Sequence, residues 1–361
     1  MSTTPNYGRV SLVGSMAMAL AIGVASTGWT QDAAFPPPTG DPSIIPEGAK
    51  LELLFDDACF TEGVAVAPEG QVYFSDITFT SGCRHGDNEL PQAGIIWRYD
   101  PNTGETAVFR SPSGMSNGLK FDASGNLIAA EGADFGGRRV TITDMKTGRA
   151  RILTAMYDGH PFNAPNDVAI DEQGRIYFTD PRYLGHEPVE QPAMAVYRAD
   201  PDGTVTRIVA DAGKPNGVLV SADQSTLYVV SNDNGALDFT RLREGEATER
   251  GRMLIWAYDL APDGTTSNRR VFVNYEPHDS ADGLVTDIDG NIYAAVRRAD
   301  APGIYVYNPD GKELASIPTG EIMPTNVGFG RGPDANVLYV TAGGELYRIR
   351  LNSEGYQLPA K

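Results

Sequence analysis

Two carboxylates and four carboxamides recur along this chain at intervals that fit a repeated β unit. Glu62, Asn117, Asn166, Asn216, Asp282 and Asn326 each stand at the head of a strand-like run, separated by steps of 55, 49, 50, 66 and 44 residues. Brought to one point, such side chains form a cage of oxygens. Carboxylate and amide oxygens suit a hard divalent cation, Ca²⁺ first, with Mg²⁺, Mn²⁺ or Zn²⁺ as alternatives. The set contains no His or Cys, which speaks against a zinc cage. A single Asn in such a place has a structural explanation, because Asn tolerates left-handed backbone and caps turns. Six polar residues in register, with acids in the first and fifth, point instead to a metal site.

The elements that must position them follow from the pattern around each anchor. A run of alternating or continuous apolar residues leads from the anchor to a Gly-centred turn such as Pro68-Glu69-Gly70, Ala123-Ser124-Gly125, Glu172-Gln173-Gly174 or Asp289-Gly290. A second strand, a third and a fourth follow; runs of this kind between turn residues read as hairpins. Strand repeats of roughly 50 residues are the mark of a propeller. The expected fold is all-β: a six-bladed β-propeller with four-stranded blades. The strand-like stretch from Lys50 to Asp57 precedes the first anchor and has no blade of its own. It is expected to supply the outer strand of the last blade, closing the ring and hiding an edge.

Chain direction then assigns the faces. Each anchor precedes an innermost strand, so all six share one end of the central channel, the top. Second strands climb back to that face and end at Asp76, Glu131, Asp180, Asn232 and Arg297. The loops 77–93, 132–138, 181–193 and 232–251 lie there too. Cys59 and Cys83 also fall on the top, and a disulfide between them is expected, with two free thiols as the alternative.

Composition bounds the rest. The 361 residues carry 40 Gly and 25 Pro, in keeping with many tight turns, and the repeat fills residues 50–361, so one domain is expected. A formal charge of -18 excludes nucleic acid as the partner, since phosphates need a basic face. Arg9, the apolar run Val10 to Val24 and the small residues Ala25, Ser26 and Gly28 follow the order of a secretory signal. The expected organisation is a signal peptide over 1–28, an irregular linker over 29–49 and the propeller. The expected location is periplasmic or secreted, with no membrane span once the signal is removed. A glycine-rich phosphate loop and a serine nucleophile elbow are both missing from the sequence, so neither a nucleotide cofactor nor a covalent serine mechanism is expected.

The segments Phe60-Thr61-Glu62-Gly63, Ser116-Asn117-Gly118-Leu119, Pro215-Asn216-Gly217-Val218, Ala281-Asp282-Gly283-Leu284 and Pro324-Thr325-Asn326-Val327 resemble those of the senescence marker protein/gluconolactonase/luciferin-regenerating enzyme family. So does the pair NAPNDV (163–168) and YFTDPRY (177–183), which is similar to bacterial gluconolactonases in particular. The likeness runs from near Leu51 to the C-terminus. It implies a six-bladed propeller with a divalent metal in its channel, held by Glu62, Asn216 and Asp282, with Asn166 beside them as a ligand or a substrate contact. It further implies that Asp282 doubles as general base. Asn117 and Asn326 are then left as substrate contacts, together with Arg182 and Tyr183, because the family's loop after Asp180 lines the pocket. Where the family often has an aromatic residue or Pro, this chain has Arg182, a departure that bears on substrate preference. Arg138 and Arg139 follow another top loop, where substrate and structural roles stay open.

The implied chemistry is hydrolysis of a sugar lactone. A cation polarises the carbonyl, and Asp282 accepts the proton of the attacking water. Two other readings remain at this stage. One is a phosphotriester or aryl ester hydrolase on the same cage; the other is a propeller that binds a ligand without catalysis, because fold alone does not give function.

Overall fold

The computed structural model describes residues 35–78, 93–239 and 248–359. Its strands form six antiparallel blades. Blade one is Thr61–Val66, Val72–Asp76, Ile95–Tyr99 and Thr106–Arg110. Blade two begins with Ser116–Phe121, blade three with Val168–Ile170, blade four with Pro215–Val220, blade five with Ala281–Thr286 and blade six with Pro324–Phe329. These innermost strands pack against one another in sequence around the axis, and the last packs against the first. The second strands, such as Ile176–Asp180 and Ile292–Val296, are rich in β-branched and aromatic residues and are buried throughout.

Closure follows the expected route. Glu52–Phe55 pairs antiparallel with Glu345–Arg350, placing Leu53 opposite Tyr347, so the sixth blade takes its outer strand from the start of the domain. The Thr325 hydroxyl donates to Thr61 O at 2.7 Å, joining the last blade to the first inside the core. Residues 35–49, expected as irregular linker, are partly ordered onto the wheel. Thr39–Gly40 adds a fifth strand to the edge of blade five, Ile44 is buried in the core between blades five and six, and Phe35 meets the edge of the Tyr347 ring. The pairing segment is two residues long, too short to announce itself among Pro36, Pro37 and Pro38.

The hairpin turns on the bottom face share one device. Asp122 Oδ1 accepts the N–H groups of Ser124 and Asn126; Asp171 Oδ1 accepts those of Gln173 and Arg175; Asp287 Oδ1 accepts those of Asp289 and Asn291, all at 2.8–3.1 Å. Each is an Asx turn completed by a Gly at positive φ, with 79° at Gly125, 82° at Gly174 and 83° at Gly290.

The bottom of the channel is crossed by the C-terminal segment. Tyr356 N donates to Thr286 O of blade five, the Tyr356 hydroxyl to Glu172 of blade three at 2.6 Å, and Gln357 Nε2 to Gly330 O of blade six. Tyr356, Gln357 and Leu358 of this strap line a largely apolar cavity of about 100 Å³ together with residues such as Val64, Leu219 and Phe329.

Candidate functional site

The anchors occupy a more specific place than the head of a strand. In blades one, two, four and five the anchor is the second residue of the innermost strand, and the ladder there gains one residue. Thr61 faces Asp76 but Val64 faces Phe74; the same slip occurs between Ser116 and Leu119, Pro215 and Val218, and Ala281 and Leu284. The extra residue is a β-bulge, which re-aims a side chain without ending the strand. The Gly after each anchor is required by the next blade. A Cβ on Gly63 would overlap Asn117 O, one on Gly217 would overlap Asp282 O, and one on Gly283 would overlap the Asn326 amide. The repeated anchor-Gly pair therefore packs adjacent blades closely and turns the anchors towards the axis. In blade three the Gly is replaced by Asp167. This buried carboxylate accepts the Val218 N–H at 3.1 Å, tying blade three to the strand that carries Asn216.

Glu62, Asn117, Asn166, Asn216 and Asp282 meet at the floor of a cleft of about 260 Å³ on the top face, with Arg297 beside them. All five anchors are buried. Arg297 Nη1 donates to Asp282 Oδ2 at 3.0 Å, and the Asn216 amide also hydrogen-bonds that carboxylate. Burial pushes the Asp282 carboxyl up to about 6; Arg297 opposes this and Asp167 adds to it. Glu62 is pushed well above the usual carboxylate range, first by burial and then by the charge of Asp282, with Arg297 again opposing. Among the described residues, Glu62 Oε2 and Asn166 Oδ1 are buried with no hydrogen-bond partner. Buried polar atoms are normally satisfied, so two orphaned oxygens on one cleft floor call for a ligand. With acidic and amide oxygens around them, that ligand fits a divalent cation.

The loops build the walls. Asp180 accepts the N–H groups of Asn163 at 2.9 Å and Ala164 at 2.7 Å, and so fixes the segment that delivers Asn166. Asp76 does the same in blade one, taking Cys59 N and Phe60 N at 3.0 Å each. Tyr183 lines the cleft as expected; its hydroxyl donates to Asn232 O, and its ring lies 4.2 Å below the Lys214 ammonium.

Two expected substrate contacts are corrected. Arg182 is fully buried, and its guanidinium donates to the carbonyls of Gly185, Glu187 and Asn163, which makes it a staple inside the 182–188 loop. Asn326 lies off the cleft lining; its Oδ1 accepts the N–H of Val327, and its side chain hydrogen-bonds Asp167. Arg138 is also structural, donating to Phe162 O at 2.8 Å, and Arg139 pairs with Glu131 at 2.7 Å. Arg297, known from the sequence only as a strand end, joins the site; a lone cation among the top-face acids was the available signal. Cys59 is described but Cys83 is not, so their pairing lies outside the described residues, as does the segment 1–34.

The family model described as SMP-30/Gluconolactonase/LRE-like region matches residues 60–344. This chain belongs to that family. A gluconolactonase from Zymomonas mobilis is 28% identical over an alignment 341 residues long that covers 87% of this chain and 84% of that protein. A pentonolactonase from Haloferax volcanii is 29% identical over 261 residues, 70% of this chain and 75% of the relative. Among solved structures, a gluconolactonase from Xanthomonas campestris superposes with a TM-score of 0.69 at 26% identity, covering 88% of this chain and 95% of the other. The family match begins at Phe60 and so spans the whole arc of anchors from Glu62 to Asn326.

Proposed function

We propose that this chain hydrolyses a lactone, a sugar lactone such as gluconolactone in the first instance, at the top of its central channel. The observation that carries the reading is the convergence of Glu62, Asn166, Asn216 and Asp282 on one cleft floor, two of them with unpartnered oxygens. These four residues would hold a divalent cation, Ca²⁺ by the hardness of the oxygen set. When bound, such an ion supplies Lewis acidity at the lactone carbonyl and stabilises the negative charge that develops there.

The remaining steps belong to the protein. Water adds to the carbonyl carbon, the ring C–O bond breaks, the released ring oxygen takes up a proton to become a hydroxyl, and the resulting hydroxy acid ionises to a hydroxy carboxylate and a proton. Asp282 accepts the proton from the attacking water. Burial holds its carboxyl up near 6 in the cation-free protein; with a cation bound it would be lower, and the attacking water would be acidified by the same charge. Arg297 grips Oδ2 and the Asn216 amide also bonds the carboxylate, so the base is held in one orientation. Asn117 offers a carboxamide to ring oxygens, and Tyr183 with Phe239 walls the cleft.

A pH-stat assay on glucono-1,5-lactone, run with chelator and then with Ca²⁺, Mg²⁺, Mn²⁺ or Zn²⁺ restored, tests the reading, with a phosphotriester and an aryl ester as comparison substrates. Cation-dependent ring opening that fails in Asp282→Asn is the expected result; equal rates in wild type and variant would remove Asp282 from the mechanism. We also propose export through residues 1–28 and a Cys59–Cys83 disulfide. N-terminal sequencing of the mature protein and its intact mass with and without reductant check both.

A further inference from the structure

Beside the cation cage the cleft opens into a side pocket of about 30 Å³ between blades two and three. It shares Ile77, Asn117, Asn166, Tyr183 and Leu184 with the main cleft and continues inward past Met115, Ala133 and Pro165. Among the described residues, its lining carries no charged side chain. Four backbone N–H groups around it are already bonded within the protein. Gly132 N donates to Met115 O, Gly118 N to Asn166 O, Asn166 N to Thr179 O, and Ala164 N to the Asp180 carboxylate. Asn117, Asn166 and Tyr183 stand at the mouth shared with the main cleft; at the inner end, against Met115, Ala133 and Pro165, a substrate hydroxyl would give up its hydrogen bonds to water and find few in return, a cost of the order of 1–3 kcal/mol. An alkyl group would instead leave water for Ile77, Met115, Ala133 and Leu184, with a gain. One water-sized group needs roughly 10–15 Å³ of such space, so the pocket accepts about two.

Resting on the lactonase reading, we propose that the lactone taken by this site carries a short alkyl group, a methyl or an ethyl, which the pocket between blades two and three receives. Ile77, Met115, Ala133 and Leu184 are then the specificity residues, and the polar floor handles the carbonyl and any ring hydroxyls.

The test is a ladder of kcat/KM values on the full-length protein with Ca²⁺. The substrates are γ-butyrolactone and its 4-methyl, 4-ethyl and 4-pentyl derivatives, and separately L-mannono-1,4-lactone against its 6-deoxy counterpart, L-rhamnono-1,4-lactone. We expect a rise of roughly 10-fold per carbon up to ethyl, a fall at pentyl, and a preference of about 10-fold or more for the deoxy lactone. Ala133→Val narrows the pocket and should erase the ethyl preference. Leu184→Ala widens it and should move the optimum to a longer chain, so the idea stays testable even if the first variant folds poorly. A flat ladder in a protein that opens glucono-1,5-lactone would overturn this inference and leave the lactonase reading standing. Failure to open any lactone would overturn both.

Discussion

At the bottom of the wheel, Asp122, Asp171 and Asp287 turn their carboxylates back onto the N–H groups of their own hairpins; at the top, Glu62 and Asp282 project from bulged strands into a shared cleft. The residue types are alike and the strands are the same. What differs is the supply of donors. A turn offers its acid two backbone N–H groups within 3.1 Å, so the charge is consumed locally and the turn is held. A bulge beside a Gly offers none to Glu62 Oε2, and the backbone of the next blade packs directly against that Gly. The top acids are therefore left with raised affinity for protons or for a cation. A repeated acid in a propeller acquires chemistry when the fold withholds backbone donors from it.

The largest expected break in this comparison is at Asp282. Asp282→Asn keeps the shape and the contact with Arg297 but removes the proton acceptor and one ligand charge; kcat should fall by about 10³-fold or more in the lactone assay. Thermal unfolding should change little, because the carboxylate is held in the folded chain at an energetic cost. The mirror variant is Asp287→Ala. Asp287 accepts Asp289 N, Asn291 N, the Asn291 amide and the Tyr293 hydroxyl, and it is fully buried. Its loss should cost about 3 kcal/mol in urea unfolding while kcat/KM stays within 2-fold.

Acidity separates the two faces as well. Burial holds Asp282 near 6 and Asp180 near 7 and pushes Glu62 up. A carboxyl with a folded pKa above its unfolded value contributes stability fully below about pH 4, and that share is lost as pH rises through 6 to 7. The cation-free protein should thus melt higher at pH 5 than at pH 8. A saturating divalent cation keeps Glu62 and Asp282 ionised and should raise Tm by roughly 5 °C at pH 8, and by less at pH 5. An equal cation effect at both values would mean that these carboxylates do not take part in binding. Scanning calorimetry in chelator and in Ca²⁺ reads this directly.

The wheel itself could be read from the chain because its signals are local. Asp-x-x-Gly turns, alternating strands and the regular return of the anchors each depend on a few neighbouring residues. The closing strand from Lys50 was legible for a related reason, since an unpaired strand and an incomplete last blade demand each other. The misjudged residues depend on distant partners. Arg182 reads from the sequence as a pocket-lining substrate contact, but residues 183–188 fold over it and supply carbonyls. Asn326 shares the anchor register, but its bulge falls between Pro324 and Asn326, and the amide turns to Val327 and Asp167 instead of the cleft. The bulges were invisible because an Asn-Gly pair reads as the break before a strand, when it is the kink within one.

The smallest expected effect concerns the strap across the bottom. Tyr356 reaches Glu172 at 2.6 Å and receives Gln224 Nε2 at 3.3 Å, so one hydroxyl links the C-terminal segment to the turns of blades three and four. The contact is partly exposed, and a hydrogen bond to a charged acceptor at such a place contributes about 1 kcal/mol. Tyr356→Phe should lower Tm by about 2 °C and leave lactone hydrolysis unchanged, because the strap lines a cavity that shares no residue with the top cleft. A fall in kcat in this variant would contradict the separation of the two ends. It would mean that the lower channel communicates with Glu62 and Asp282, and Lys120 and Asp167, which influence each other electrostatically beneath the anchors, would be the residues to examine next.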